Sequence, residues 1–379
     1  MQLIKKQERL GEILFFIGIL IHTLLMVIGY GDWSIPFHGR FMQLAFGLFC
    51  IKILCTYYTK REWMIMIFLG ALGTVSYLCT GEEYVVSVIV MIFAAKNIDM
   101  RRVCKWILVL SFVFTVGTAL LSLMGIGGLA VDIRHYGRGS EEVRWCLGFG
   151  HANNIHGTVW YLVMLVIFLY FEKLKWQHYL LVTIGNLGLF YLTASRGGML
   201  AIQMAVIAAL LLKYVPKIID KMWIYLLGLL ELVLFVVLSL ISAVISPEFT
   251  PIISKIDSML TGRLHLIRWY ADMSKWRIFA SGGDATIIDD GWAAIFMSYG
   301  YVIGVVFILF HIYLIYKIWK KKSGVLLIMF ATTMFYTFME ASYTMNTAYL
   351  LSNFSYIIAM IFMAKSESGS TPAATELLQ

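Results

Sequence analysis

Three short polar stretches interrupt an otherwise apolar sequence, and their residue types suit chemistry on an anion and a hydroxyl group. The first is LGFGHANNIHGTVW, residues 147–160, where two histidines, two asparagines and three glycines precede a long apolar run. At helical spacing Asn153, His156, Gly157 and Trp160 share one face. Free N–H groups and the helix dipole at such an N-terminus favour an anion or a sugar oxygen, and Arg144 stands just upstream. His151 is left exposed by the flanking glycines and is a candidate proton acceptor. The alternative is an asparagine cap with the histidines at the level of lipid headgroups.

The second stretch is TASRGGM, residues 193–199. Arg196 closes one apolar run and two glycines open the next, leaving no room for a loop. An arginine beside a serine and glycine N–H groups makes a seat for phosphate, and snorkelling to headgroups is the plainer reading. The third is IIDDGWAAIFMSYGYVIG, residues 287–304. Asp289 and Asp290 stand where a helix begins, so one is expected to cap it. The other is then free for work such as general base catalysis. Asp289 is the first choice for that base and His151 the second.

The elements that must position these residues are membrane spans. Hydrophobic residues make up 60% of the 379 residues and charged residues only 14%, with a mean hydropathy of +0.82, outside the soluble range. Twelve apolar runs bounded by charges are expected to span: 11–30, 41–59, 63–80, 84–95, 104–126, 154–171, 178–194, 198–215, 222–245, 291–319, 324–342 and 348–364. The first is too long for a signal peptide and lacks a small-residue cleavage site. Residues 1–365 therefore read as one polytopic all-α membrane domain. The tail 366–379, SESGSTPAATELLQ, is polar, low in complexity and expected to be disordered.

Charge sets an expected orientation. With the N-terminus inside, nineteen of the 30 lysines and arginines fall on the inner side, ten on the outer side, and Lys52 within a span. Both termini are thus expected in the cytoplasm. Lysine dominates inside, whereas eight of the ten outer residues are arginine: positions 40, 134, 138, 144, 196, 263, 268 and 277. The guanidinium fork grips phosphate or carboxylate and stays charged when desolvated, so an anionic ligand is expected outside. The net charge of +8 is accounted for by topology and does not point to nucleic acid.

Two outer loops are long, about 127–153 and 246–290. The second carries Ile256, Leu260, Leu264, Ile267 and Ala271 at steps of four, four, three and four, which predicts an amphipathic helix with Trp269 and Trp276 as interface anchors. His265, Arg268 and Asp272 share its polar side and Arg263 flanks the stripe. Within the spans, Glu231 is costly unless protonated or paired, with Lys52 as a possible partner, and Glu340 can line an outer cavity. The five cysteines suggest free thiols and no disulfide. Zinc-protease, phosphate-loop and CxxC patterns are absent, as is the Asp-X-Asp run that holds a metal on a nucleotide sugar.

In this order and topology, Arg144 with GFGHANNIHG, then TASRGG, then DDGWAAIFMSYGYVIG, the chain resembles the O-antigen ligase/polymerase superfamily of bacterial envelope enzymes. The resemblance covers nearly the whole topology. Ligases of that superfamily carry a His-Asn pair where this sequence has Asp289–Asp290, which favours a polymerase. The resemblance implies a GT-C-like integral-membrane glycosyltransferase of the bacterial inner membrane, with no metal or cofactor. It would polymerise undecaprenyl-diphosphate-linked oligosaccharides for O-antigen, capsule or other envelope polysaccharide, with a chain-length regulator as a candidate partner. Direct displacement would invert the anomeric centre. Asp289, His151 and Arg196 are then the expected catalytic residues. Arg144, Asn153, His156, Arg263, Arg268 and Asp290 are expected to bind substrate. A ligase of the same superfamily and a lipid-linked oligosaccharide flippase are the alternatives.

Overall fold

The computed structural model describes residues 2–30, 33, 36–135, 141–245, 251–259, 262–273, 276–280, 289–341 and 347–364. The tail 366–379, Arg138, Lys275 and the side chains of Arg134, Ile256 and Leu260 lie outside the described residues. Apolar helices dominate: α1 (Gln2–Tyr30), α2 (His38–Leu54), α3 (Lys60–Thr80), α4 (Tyr84–Ala94) and α5 (Met100–Leu123) precede the first long loop. After it come α6 (Ala152–Tyr170), α7 (Trp176–Thr193), α8 (Arg196–Tyr214) and α9 (Met222–Val244). The second long loop holds α10 (Pro251–Met259) and α11 (Arg263–Met273). The chain ends with α12 (Gly291–Tyr299), α13 (Tyr301–Lys321), α14 (Gly324–Met339), a 3₁₀ turn Thr347–Ser352 and α15 (Phe354–Met363). Among the described residues seven helices are long and apolar enough to cross a membrane, and α4, α14 and α15 are shorter apolar helices. The chain is a polytopic, nearly all-α membrane protein.

The first long loop departs from the all-helical expectation. It folds into an antiparallel hairpin of β1 (Val131–His135) and β2 (Glu141–Trp145), in the register Asp132 opposite Arg144. Hairpin amides pair with each other, so the loop satisfies its own backbone before the chain turns into α6. The turn uses left-handed backbone at Leu147, Gly148 and Gly150.

Two long runs are broken where a continuous helix was expected. The series 256–271 splits at Gly262, whose φ is +82°. Asp257 of α10 then caps α11, accepting from the amides of Leu264 (2.7 Å) and His265 (3.3 Å). Leu264, Ile267 and Ala271 remain a buried stripe, packed on α9.

The run 291–319 breaks at Gly300 (φ +90°), where an added Cβ would lie 2.6 Å from the Ile278 carbonyl oxygen. Glycine alone tolerates both that conformation and that approach. The segment 277–280 fills the space, accepting hydrogen bonds from the amides of Tyr301 (3.0 Å, to Arg277) and Val302 (3.1 Å, to Ile278). Phe296 lies over Gly304, and the ring of Trp292, at the start of α12, meets Phe307 and His311 at 5.5 and 5.1 Å. The helix α12 thus folds back antiparallel to α13 as a buried half-helix.

The core that carries the site lies between α6, α8, α9, α12 and α14. Trp160 of α6 stacks on Tyr336 of α14 at 4.5 Å, and Phe235 of α9 stacks on Phe338 of α14 at 4.9 Å. Such pairs add about 0.5–1.5 kcal/mol each beyond their buried area. They fix the last turn of α14 between α6 and α9.

Candidate functional site at the arginine-rich end

The N-termini of α6, α8 and α12 and the C-terminus of α14 lie at the same end of the bundle. At about 1.5 Å per residue, the 16 residues of α14 reach about 24 Å, short of the about 30 Å of a hydrocarbon core. The residue after it, Glu340, lies level with the first turns of α6 and α8, which it and Met339 meet through Asn153 and Gly197.

Glu340 is the junction of a polar cluster. Asn153, in the first turn of α6, donates its Nδ2 to Glu340 Oε1 at 2.8 Å. Arg263, the first residue of α11, extends its fork inward: Nη1 donates to the carbonyl of Met339. The same Nη1 lies 3.6 Å from Asp289 Oδ2, and Nη2 lies 3.7 Å from Glu340 Oε1. Those two separations are ion-pair distances, longer than good hydrogen bonds. Arg263 is 12% exposed, Glu340 17% and Asp289 50%, so the cluster opens at Asp289 and closes toward Glu340. Gly197 at the start of α8 makes room for Met339, whose Cε would lie 3.0 Å from a Cβ there. That contact brings the backbone bearing Arg196 beside the cluster, while the Arg196 side chain is exposed.

The adjacent aspartates divide their work. Asp290 is buried and caps α12, with Oδ1 accepting from the Ala293 amide and Oδ2 from Ser239 Oγ of α9, both at 2.7 Å. Asp289 is left facing Arg263. Burial pushes the Asp290 carboxyl up to about 7 against the opposing pull of its hydrogen bonds and of Arg263.

The remaining expected residues are placed elsewhere. His156 is fully buried between helices, its Nδ1 3.0 Å from Thr193 Oγ1 and its Nε2 2.9 Å from Asn186 Oδ1. Its ring fills the space over Gly198, where a Cβ would come within 2.7 Å. It ties α6 to α7 and α8 and has no nitrogen left for a ligand. His151 is the N-cap of α6, with Nδ1 accepting from the Asn153 amide at 3.2 Å. Arg144 is buried on β2 and grips Glu142 through Nε (2.9 Å) and Nη2 (2.5 Å).

Arg268 closes the end of α9, donating to the carbonyls of Ala243 (3.0 Å) and Val244 (2.9 Å) and pairing with Asp272 (2.7 Å). It borders a separate groove of about 530 Å³ with Trp276 and Tyr301. Lys52 gives its ammonium to Thr56 and to the Lys96 carbonyl and so does not pair with Glu231, which lines an apolar pocket of about 180 Å³ between α8, α9 and α14.

Of the expected residues, Asn153, Arg263 and Asp289 come together directly, with Asp290 one residue behind them and Arg196 adjacent through its backbone. The junction residue Glu340 was only a cavity-lining candidate by sequence, its one signal being a charge at the end of an apolar run. Ser239 carried no signal. Among the described residues, no group of three His, Cys, Asp or Glu is arranged to hold a metal.

The fold and cluster define a polytopic helical membrane protein with a partly buried, charged cluster at one end of its bundle. Compared with known proteins, the chain matches no family model, no curated protein and no solved structure.

Proposed function

We propose that the protein is a polymerase of undecaprenyl-diphosphate-linked oligosaccharide repeat units, with the arginine-rich end facing the outside of the bacterial inner membrane. In this reading all twelve apolar runs span or enter the bilayer, both termini are cytoplasmic, and the architecture is of the GT-C-like class. The observation that carries it is the Asn153–Glu340–Arg263–Asp289 cluster, gathered where three helix N-termini meet. A lipid diphosphate is a good leaving group that needs charge stabilisation, and preorganised cationic donors at a developing anion are worth about 2.7–4 kcal/mol each. Arg263 supplies one such donor and Arg196, at the neighbouring helix start, a second. The acceptor hydroxyl needs a proton acceptor within reach; Asp289, Glu340 and His151 are the candidates. Asn153 and the N-terminal amides of α6 offer donors for sugar oxygens.

The test is reconstitution of purified protein with polyprenyl-diphosphate-linked repeat units extracted from the cells that make it. A ladder of products is expected. Transfer of a single unit to a different acceptor would assign a ligase, and movement across the vesicle membrane with no ladder would assign a flippase.

A further inference from the structure

We propose that Glu340 accepts the proton of the attacking sugar hydroxyl, and that this protonation hands Arg263 over to the departing diphosphate. The inference rests on the glycosyl-transfer reading above and chooses among its proton acceptors.

The geometry distinguishes the two carboxyls on Arg263. Asp289 is half exposed and its Oδ2 faces Nη1, the nitrogen already committed to the Met339 carbonyl. Glu340 is held from two sides through a single oxygen: Asn153 and Arg263 Nη2 both address Oε1. Among the described residues Oε2 carries no hydrogen bond, so a lone pair is presented at a fixed position. Asn153 cannot titrate, and its amide holds the carboxyl in place whether or not it carries a proton. Such positioning is what lowers the cost of orientation in a proton transfer.

The step balances. The acceptor O–H bond breaks and its proton goes to Glu340 Oε2. The acceptor oxygen forms a bond to the anomeric carbon as the bond from that carbon to the diphosphate oxygen breaks. The electron pair leaves on the diphosphate. Glu340 turns neutral as the diphosphate gains charge, so the attraction that Nη2 had for Glu340 transfers to the leaving group. No oxidant or other co-reactant is required. A charge moves from one partner of Arg263 to the other while the guanidinium stays where Met339 holds it.

The groups that set the protonation of Glu340 come from every element around it. They are Arg263 on α11, Asp289 ahead of α12, Asn153 and the cap His151 on α6, and Arg196 at the start of α8 behind Gly197.

The experiment measures the rate of polymer formation against pH for reconstituted wild type, Glu340→Gln, Glu340→Asp and Arg263→Ala, using the extracted lipid-linked repeat units. Glutamine keeps an oxygen for Asn153, so Glu340→Gln is expected to keep the wild-type melting temperature in detergent. Its rate is expected to fall by about 10²–10⁴-fold. Glu340→Asp is expected to retain part of the rate, with the acidic limb of the profile moved to lower pH. Wild-type rate in Glu340→Gln alongside a dead Arg263→Ala would overturn the role of Glu340 and leave the polymerase reading standing. An inactive Glu340→Gln with an unmoved limb in Glu340→Asp would make Glu340 a positioning residue and also overturn the proposal. If wild type itself yields no ladder, the glycosyl-transfer reading fails and this inference fails with it.

Discussion

The two ends of the bundle use cations in opposite ways. At the lysine-rich end several cations have a local structural task. Lys213 donates to the carbonyls of Phe171 and Glu172 at the end of α6, where cations are favoured by the helix dipole. Lys96 pairs with Glu62 at 2.7 Å, and Lys322 pairs with Asp220 at 3.1 Å with both groups more than half exposed. Lys320 lies over Trp319 and Tyr316.

At the arginine-rich end, Arg144 and Arg268 are likewise spent on structure. Arg263 is not: it is mostly buried, reaches two carboxyls and a carbonyl at once, and leaves both carboxyls short of hydrogen-bond contact. Arg144 and Arg268 meet their carboxylates at hydrogen-bond distance, whereas Arg263 holds only the Met339 carbonyl closely and leaves its two carboxyls at 3.6 and 3.7 Å. The difference lies in saturation, not in charge.

That contrast can be broken most directly at Arg263. Arg263→Ala is expected to lower the polymerisation rate by about 10²–10³-fold, read as the yield of long products from reconstituted protein. A rate within a factor of two of wild type would place Arg263 with the structural arginines.

A second measurement concerns pH. Burial raises Asp290 from its ordinary 3.8 to about 7 in the fold. The folded chain therefore binds more protons than the unfolded one between about pH 4 and 7, and stability from this group is full below that window and lost as pH rises through it. Thermal melting in detergent is expected to fall from pH 5 to pH 7.5, and Asp290→Asn is expected to flatten the slope. An unchanged slope in that variant would mean Asp290 is ionised in the fold.

The smallest effect is expected from Lys322→Ala, whose exposed pair is worth about 0–1 kcal/mol. Melting temperature and product ladder should both stay close to wild type, and a loss of product as large as that of Arg263→Ala would erase the distinction between the ends.

Much of this was legible in the sequence because hydrocarbon imposes strict rules. Apolar runs bounded by charges located the helices, and one member of the Asp289–Asp290 pair does cap α12, as carboxylates at a helix start tend to. The breaks were harder to read. At Gly300 what breaks the run is a neighbouring segment, 277–280, that no local pattern announces, whereas Gly262 stands in open space and breaks the series through its left-handed backbone and the Asp257 cap that follows. The hairpin of β1 and β2 was hidden in a polar loop whose register depends on pairing across a turn.

In the site, helical spacing placed Asn153 and His156 on one face but could not separate them. Asn153 lies at the cluster, while His156, one turn further in, is consumed by Thr193 and Asn186 from helices distant in sequence. Glu340 was underweighted because its importance comes from Asn153 and Arg263, which lie 187 and 77 positions away in the chain.

The opening of the cluster at the half-exposed Asp289 has a consequence for how the proposed lipid-linked substrate would arrive. A molecule whose tail stays in the leaflet would search over an area and not through a volume, with capture governed by how many tethered molecules share the sheet. Such a substrate could be scarce in the cell as a whole and still be crowded at the threshold of Arg263.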